Sequence, residues 1–134
     1  MFMKQRERTV GLTLAVLFLF LVLQTIRTMF GGSACNTFGP FGIAIPSLVL
    51  IGIGGTALIG VFVWISLFAD RRNFIWGLLF LSGGASNLYE RVIFGCTLDY
   101  FHPFIWFPVF NLADVFLTMA VLALIWENKG EHFR

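Results

Sequence analysis

Asp99 and Asp114 stand among amides and one arginine in an otherwise apolar stretch. Asn87-Leu88-Tyr89-Glu90-Arg91 precedes them, Gly95-Cys96-Thr97-Leu98-Asp99-Tyr100 carries the first, and Phe110-Asn111-Leu112-Ala113-Asp114 carries the second. Two carboxylates brought to one site cannot easily both ionise, so one keeps a proton while the other accepts one. Such a pair supplies a general base and a general acid, the equipment for hydrolysing an amide through a tetrahedral intermediate. Asn87, Asn111 and Arg91 would line the same cavity and orient the carboxylates or the substrate. The plain structural alternative is an ion-pair network, with Arg91 neutralising Asp99 or Asp114 and Glu90 turned to solvent at an interface. Charged groups at membrane depth cost at least ~2.5–3.5 kcal/mol on insertion scales, so they belong in an interior or a wet cavity.

Spacing says which elements must position these groups. Asn87 and Arg91 are four residues apart and share one helix face, while Asn111 and Asp114, three apart, share a face at the start of another. Asp99 lies between them, where Gly95, Pro103 and Pro108 argue against one continuous helix. That segment can fold Asp99 back against the mouth of the helix pair, provided protein or water satisfies its backbone.

The chain has 134 residues, is 58% hydrophobic and 12% charged, and contains 17 phenylalanines. A soluble domain of this length could not hide so much apolar surface. The expectation is a single all-α membrane domain over residues 1–134. It has four transmembrane helices, at roughly 9–30, 46–69, 74–94 and 109–126, and a small irregular or β-like outer segment after the first. Each span approaches the ~20 residues a helix needs to cross the hydrocarbon core. The formal net charge of +2, with the basic residues in tails, gives no reason to expect nucleic acid. Lys4, Arg6 and Arg8, the pair Arg71 and Arg72, and Lys129 with Arg134 fall on one side of this topology. Both termini are therefore cytoplasmic by the positive-inside rule, and the aspartates lie toward the outer face. Arg27, one turn from the end of its helix, can snorkel to the interface.

The basic start, apolar run and Gly31-Gly32-Ser33-Ala34-Cys35 look superficially like a leader cleaved after Ala34, before a lipid-attachment cysteine. The apolar run exceeds a ~7–15-residue leader core, and three more spans follow it, so an uncleaved first helix is expected. Cys35 and Cys96 both fall on the outer side, where oxidation is possible. Spacing cannot establish their geometry, and two small buried thiols are the plainer expectation, with a disulfide as the alternative. His102 and His132 form no metal-ligand cluster with them, so no metal site is expected. Trp106 and Phe107 read as an interfacial aromatic anchor, or in a functional version as a platform for acyl chains.

At the residues first quoted, the chain resembles the signal peptidase II (lipoprotein signal peptidase) family of bacterial intramembrane aspartyl proteases. The family's Asn-x-x-Asp-Arg and Gly-x-Val-x-Asp-Phe elements read here as Asn87-Leu88-Tyr89-Glu90-Arg91 and Gly95-Cys96-Thr97-Leu98-Asp99-Tyr100. Its Phe-Asn-x-Ala-Asp box is intact as Phe110-Asn111-Leu112-Ala113-Asp114, and Asn36-Thr37-Phe38-Gly39-Pro40-Phe41 is similar to an element that follows its first helix. Glu90 stands for an aspartate, Thr97 for a valine, and the stretches between Gly31 and Ile45 and between Asp99 and Asp114 are shorter than usual. The resemblance implies an aspartic endopeptidase of the bacterial cytoplasmic (inner) membrane. It would remove signal peptides from diacylglyceryl-modified prolipoproteins, cutting before the lipid-bearing cysteine. Asp99 and Asp114 would be catalytic, with Asn36, Asn87, Arg91 and Asn111 binding substrate or orienting the pair. It implies no cofactor, since water is the nucleophile; its partners would be lipid-modified prolipoproteins and membrane lipids. Oligomeric state stays open. Two other readings stand beside it: a non-catalytic lipid- or lipoprotein-binding membrane protein, and an intramembrane aspartyl protease with other substrates.

Overall fold

The computed structural model describes residues 2–30, 34–39 and 42–132. Among these residues four helices and two short strands follow one another as α1 (Phe2–Met29), β1 (Ala34–Asn36), α2 (Ser47–Leu67), α3 (Arg71–Phe94), β2 (Thr97–Asp99) and α4 (Leu112–His132). Two of the helices, α1 and α2, are long and apolar enough to cross a membrane. Apolar side chains such as Phe18, Leu48 and Ile59 remain exposed on the outside of the bundle, the reverse of a water-soluble pattern. Residues 31–33 of the leader-like motif, and Pro40 and Phe41 of the asparagine element, lie outside the described residues.

Helix ends follow local capping rather than hydropathy. The Asp70 side chain accepts from the Asn73 N–H at 2.9 Å, so the polar Asp70-Arg71-Arg72-Asn73 segment becomes the cap and first turn of α3, not a separate loop. At the other end Gly95 takes φ 75° and donates its N–H to the Arg91 carbonyl at 3.0 Å. A side chain in that left-handed conformation costs roughly 1–2 kcal/mol, which glycine avoids. The fourth helix starts at Leu112 and not at 109, because Phe110 is held in a β-bridge to Phe101 and Asn111 acts as the cap. That bridge closes residues 102–109 into a loop.

At the end remote from the strands, Leu12 of α1, Ile65 at the end of α2, Ala69 and Leu81 of α3 form a buried cluster. Arg8 donates to the Ala69 carbonyl there, and Trp76 Nε1 to Glu127 Oε1 at 3.1 Å, fastening α1 to the α2–α3 turn and α3 to α4. Nearer the strands, α3 and α4 approach closely at Gly83. A Cβ on this residue would stand 2.6 Å from the Ala113 carbonyl oxygen. The missing side chain is what lets Asn87, one turn further along α3, reach the start of α4.

The strands pair antiparallel, Ala34 with Asp99, Cys35 with Leu98 and Asn36 with Thr97. Cys35 and Cys96 are joined in a disulfide with Cα atoms 5.5 Å apart, which corrects the expectation of two free thiols. Within the segment after the first helix, residues 34–36 thus form a strand, held by a partner drawn from 61 residues away.

Candidate active site

Asp114 is the third residue of α4, and its position is set by the cap of that helix. The Asn111 side-chain Oδ1 accepts from the Asp114 N–H at 2.9 Å, and Asp114 Oδ2 accepts from the Asn111 N–H at 3.0 Å. This reciprocal box satisfies two of the donors that a helix N-terminus leaves unpaired, and the helix dipole favours negative charge there. A further orphan, the Leu112 N–H, donates to the Tyr100 hydroxyl at 3.1 Å. Asp114 Oδ1 accepts from Asn87 Nδ2 of α3 at 2.8 Å.

Asp99, the last residue of β2, is 2% exposed. Its Oδ2 accepts from Asn36 Nδ2 of β1 at 2.9 Å, and its Oδ1 from Asn111 Nδ2 at 3.0 Å. The same Asn111 nitrogen donates to Asn87 Oδ1 at 3.0 Å. All four carboxylate oxygens of the two aspartates therefore receive an N–H, and Asn111 links both residues. Burial pushes the Asp99 carboxyl from an ordinary 3.8 up to about 6. The Asn36 hydrogen bond and the Arg91 guanidinium oppose that rise, while the charges of Asp114 and Glu90 add to it.

Asn36, Asn87, Arg91, Asp99 and Asp114 all line one cavity of about 590 Å³. Its polar end carries these groups, and its walls are apolar, with Leu50 and Ile53 from α2, Leu88 from α3 and Leu117 from α4. Asn111 does not line it; at 2% exposure it lies buried behind the aspartates, contrary to the expectation that it faces the cavity. Phe107 reaches the cavity, whereas Trp106 is exposed and stacks on Phe104.

The ion-pair alternative is not what the structure contains. Arg91 pairs with neither aspartate among the described residues. Its Nη2 donates to the Phe38 carbonyl at 2.7 Å, and its Nη1 is buried with no hydrogen-bond partner among the described residues. Glu90 is not turned to solvent but 3% exposed. Its Oε2 accepts from the Leu98 N–H at 2.7 Å, and its Oε1 accepts from Gln24 Nε2 at 3.1 Å. Arg27 lies 3.7 Å from the same carboxylate, so it turns inward toward a partner rather than simply snorkelling. This Gln24–Glu90–Arg27 group secures β2 one residue before Asp99, a role that motif spacing alone does not reveal. Gln24, a lone amide in the apolar run of α1, was the available signal.

Residues 28–128 match the family described as Signal peptidase (SPase) II. The lipoprotein signal peptidase of Bartonella quintana (strain Toulouse) is 32% identical over 120 residues, covering 81% of this chain and 65% of that protein. The lipoprotein signal peptidase of Chlorobium phaeobacteroides (strain BS1) is 28% identical over 110 residues, 70% of this chain and 69% of that protein. The chain spans 65% of the Bartonella quintana relative and 51% of the one from Dichelobacter nodosus (strain VCS1703A). In three dimensions it superposes on a bacterial membrane enzyme solved by the in meso method at 2.3 Å resolution. The TM-score is 0.81, with 20% identity, over 91% of this chain and 89% of that one.

Proposed function

We propose that this chain, which belongs to the signal peptidase II family, is an intramembrane aspartyl endopeptidase acting on diacylglyceryl-modified prolipoproteins. In this reading α1 to α4 all span the bacterial cytoplasmic membrane as one domain, both termini are cytoplasmic, and the cavity opens toward the outer face. The asymmetric placement of the basic residues supports that orientation.

One observation carries the chemical reading: two carboxylates from separate elements face one cavity, with their oxygens held by amide donors. Such preorganisation fixes the groups before substrate arrives, so little reorganisation is left for the reaction itself. A water between Asp99 and Asp114 loses a proton to one carboxylate as its oxygen attacks the scissile carbonyl. The other carboxyl donates its proton to the developing oxyanion, giving a neutral tetrahedral intermediate. Collapse breaks the C–N bond: the first carboxyl gives its proton to the leaving amine while one hydroxyl of the intermediate returns a proton to the other carboxylate, leaving a carboxylic acid product and the pair as it began. Arg91 lines the cavity, where its guanidinium can serve as a donor to a substrate carbonyl. The apolar walls offered by Leu50, Ile53 and Leu117 suit acyl chains.

The test is cleavage of a lipidated precursor and its unmodified counterpart by purified wild-type protein, Asp99→Asn and Asp114→Asn. Wild type should cut only the lipidated precursor, and each variant should lose roughly 10²–10⁴-fold while remaining membrane-inserted. Equal cutting of both precursors would assign a protease of other specificity. Retained binding without any cleavage would assign a binding protein.

A further inference from the structure

Asn36 reaches Asp99 from a strand of three residues that no helix carries. Its ladder to β2 has three residue pairs, a length that is marginal for two strands alone. Among the described residues few other contacts hold β1 in place. Thr97 Oγ1 reaches the Asn36 carbonyl at a long 3.4 Å, and Arg91 holds the Phe38 carbonyl two residues further on. The covalent hold is the disulfide, attached one residue before Asn36 on β1 and three residues before Asp99 on the other side. Its two ends differ in access. Cys96 is 1% exposed, while Cys35 is exposed on the strand surface.

We propose that the Cys35–Cys96 disulfide is a positioning device for the aspartate pair: it seats the Asn36 amide on Asp99, and its reduction from the side of the exposed residue Cys35 slows turnover. A dithiol supplies the two electrons and two protons. The S–S bond breaks, Cys35 and Cys96 each become a thiol, and the dithiol closes into its own disulfide. Freed from the crosslink, β1 no longer keeps Asn36 within bonding distance. Asp99 then faces the Asp114 and Glu90 carboxylates, with the Arg91 guanidinium on the α3 side and the Asn111 amide at the start of α4 as its remaining support. Losing the Asn36 donor withdraws an interaction that favours the charged form, so the inflection contributed by Asp99 moves to higher pH.

This inference rests on the proteolytic reading, and the experiment separates the two. Purified oxidised protein is assayed on a diacylglyceryl-modified precursor, whose thioether does not exchange with thiols, before and after dithiothreitol and again after reoxidation. Reduction should lower kcat about 10–100-fold, the loss of one hydrogen bond to a charged group, with a smaller change in KM. The pH inflection should move up, and reoxidation should restore both. The Cys35→Ser/Cys96→Ser protein should match the reduced form and ignore dithiothreitol. Asn36→Ala should be slow already and fall little further on reduction, because the two changes remove the same interaction. Full reduction, verified by alkylation of both cysteines, with kcat and inflection unchanged would overturn the proposal; so would a loss that reoxidation does not reverse. If the oxidised protein cleaves nothing, the proteolytic reading fails. Infrared titration of Asp99, assigned by subtracting Asp99→Asn, then decides the positioning claim, since an identical curve before and after reduction would refute it.

Discussion

Asn111 and Asp114 cap one another: each side chain accepts a hydrogen bond from the other's backbone N–H, at 2.9 and 3.0 Å. The start of α4 and the placement of one candidate catalytic carboxylate are thereby a single structural event. The side-chain nitrogen of Asn111 then extends the same event to Asp99 and Asn87.

Asn111→Ser separates those two roles. Serine is a good helix cap, so Asn111→Ser should be more stable in detergent than Asn111→Ala by the roughly 0.5–2 kcal/mol that a cap contributes. Serine lacks the amide that reaches Asp99, so cleavage should fall about tenfold or more. Asn111→Ala should lose both, with roughly 0.5–2 kcal/mol of stability gone through the cap alone. Equal activity of Asn111→Ser and wild type would show that the link to Asp99 has no part in turnover.

The elevated Asp99 carboxyl also makes stability depend on pH. Its folded value, about 6, lies above the ordinary 3.8, so between these values the folded chain binds more protons at this site than the unfolded one. Stability contributed here therefore declines as pH rises across that interval and levels off above it. Relative to Asp99→Asn, which lacks the titration, the wild-type unfolding midpoint should drop by a few degrees from about pH 4 to about pH 7. A constant difference between the two proteins over that range would contradict the assignment.

Glu90 should matter to activity although it does not line the cavity. Glu90→Ala leaves the Leu98 N–H without its acceptor, at roughly 1–3 kcal/mol, and takes from the Gln24 amide one of its two acceptors, the other being Ser86 Oγ. The β2 strand loses its tether beside Asp99, so cleavage should fall with stability. Glu90→Gln keeps an acceptor oxygen for Leu98 and should retain more of both. Thermal unfolding and precursor cleavage on the pair would reveal whether the order is reversed.

Gly83→Ala places a Cβ 2.6 Å from the Ala113 carbonyl, against backbone that cannot rotate away. A cost of about 1–3 kcal/mol is expected, as for other overpacked contacts. Asp114 follows Ala113 directly, so cleavage should decline more steeply than stability does. Gly52→Ala is the control: its Cβ would meet nothing within 4 Å and should be nearly silent in both measurements.

Much of the site was readable because its members sit at helical spacing or in short boxes. The four-residue step from Asn87 to Arg91 does place both in the cavity, and the Asn111-x-x-Asp114 pattern is itself a capping signature. Hydropathy nevertheless started the last helix early, because Val109 and Phe110 are as apolar as the helix and nothing local announces their bridge to Phe101. The disulfide and the Glu90 cluster were not legible for a different reason. Cys35 meets Cys96 and Gln24 meets Glu90 across more than 60 residues of chain, and sequence separation carries no distance. Polar residues in α1 could be seen, but the helix face turned toward α3 could not, since α1 is apolar almost all round.

The bridge between Phe101 and Phe110 turns the intervening loop into a place where length is nearly free. The two ends are fixed to each other by backbone bonds of 2.8 and 3.0 Å, so an insertion between them need not displace Tyr100, Asn111 or the carboxylates they serve. Doubling such a loop costs only about 0.6 kcal/mol of closure entropy. Ile105, 97% exposed at its tip, is thus a natural point of attachment for a fluorophore or an epitope tag, where the tip of the molecule can be watched during turnover without touching the chemistry.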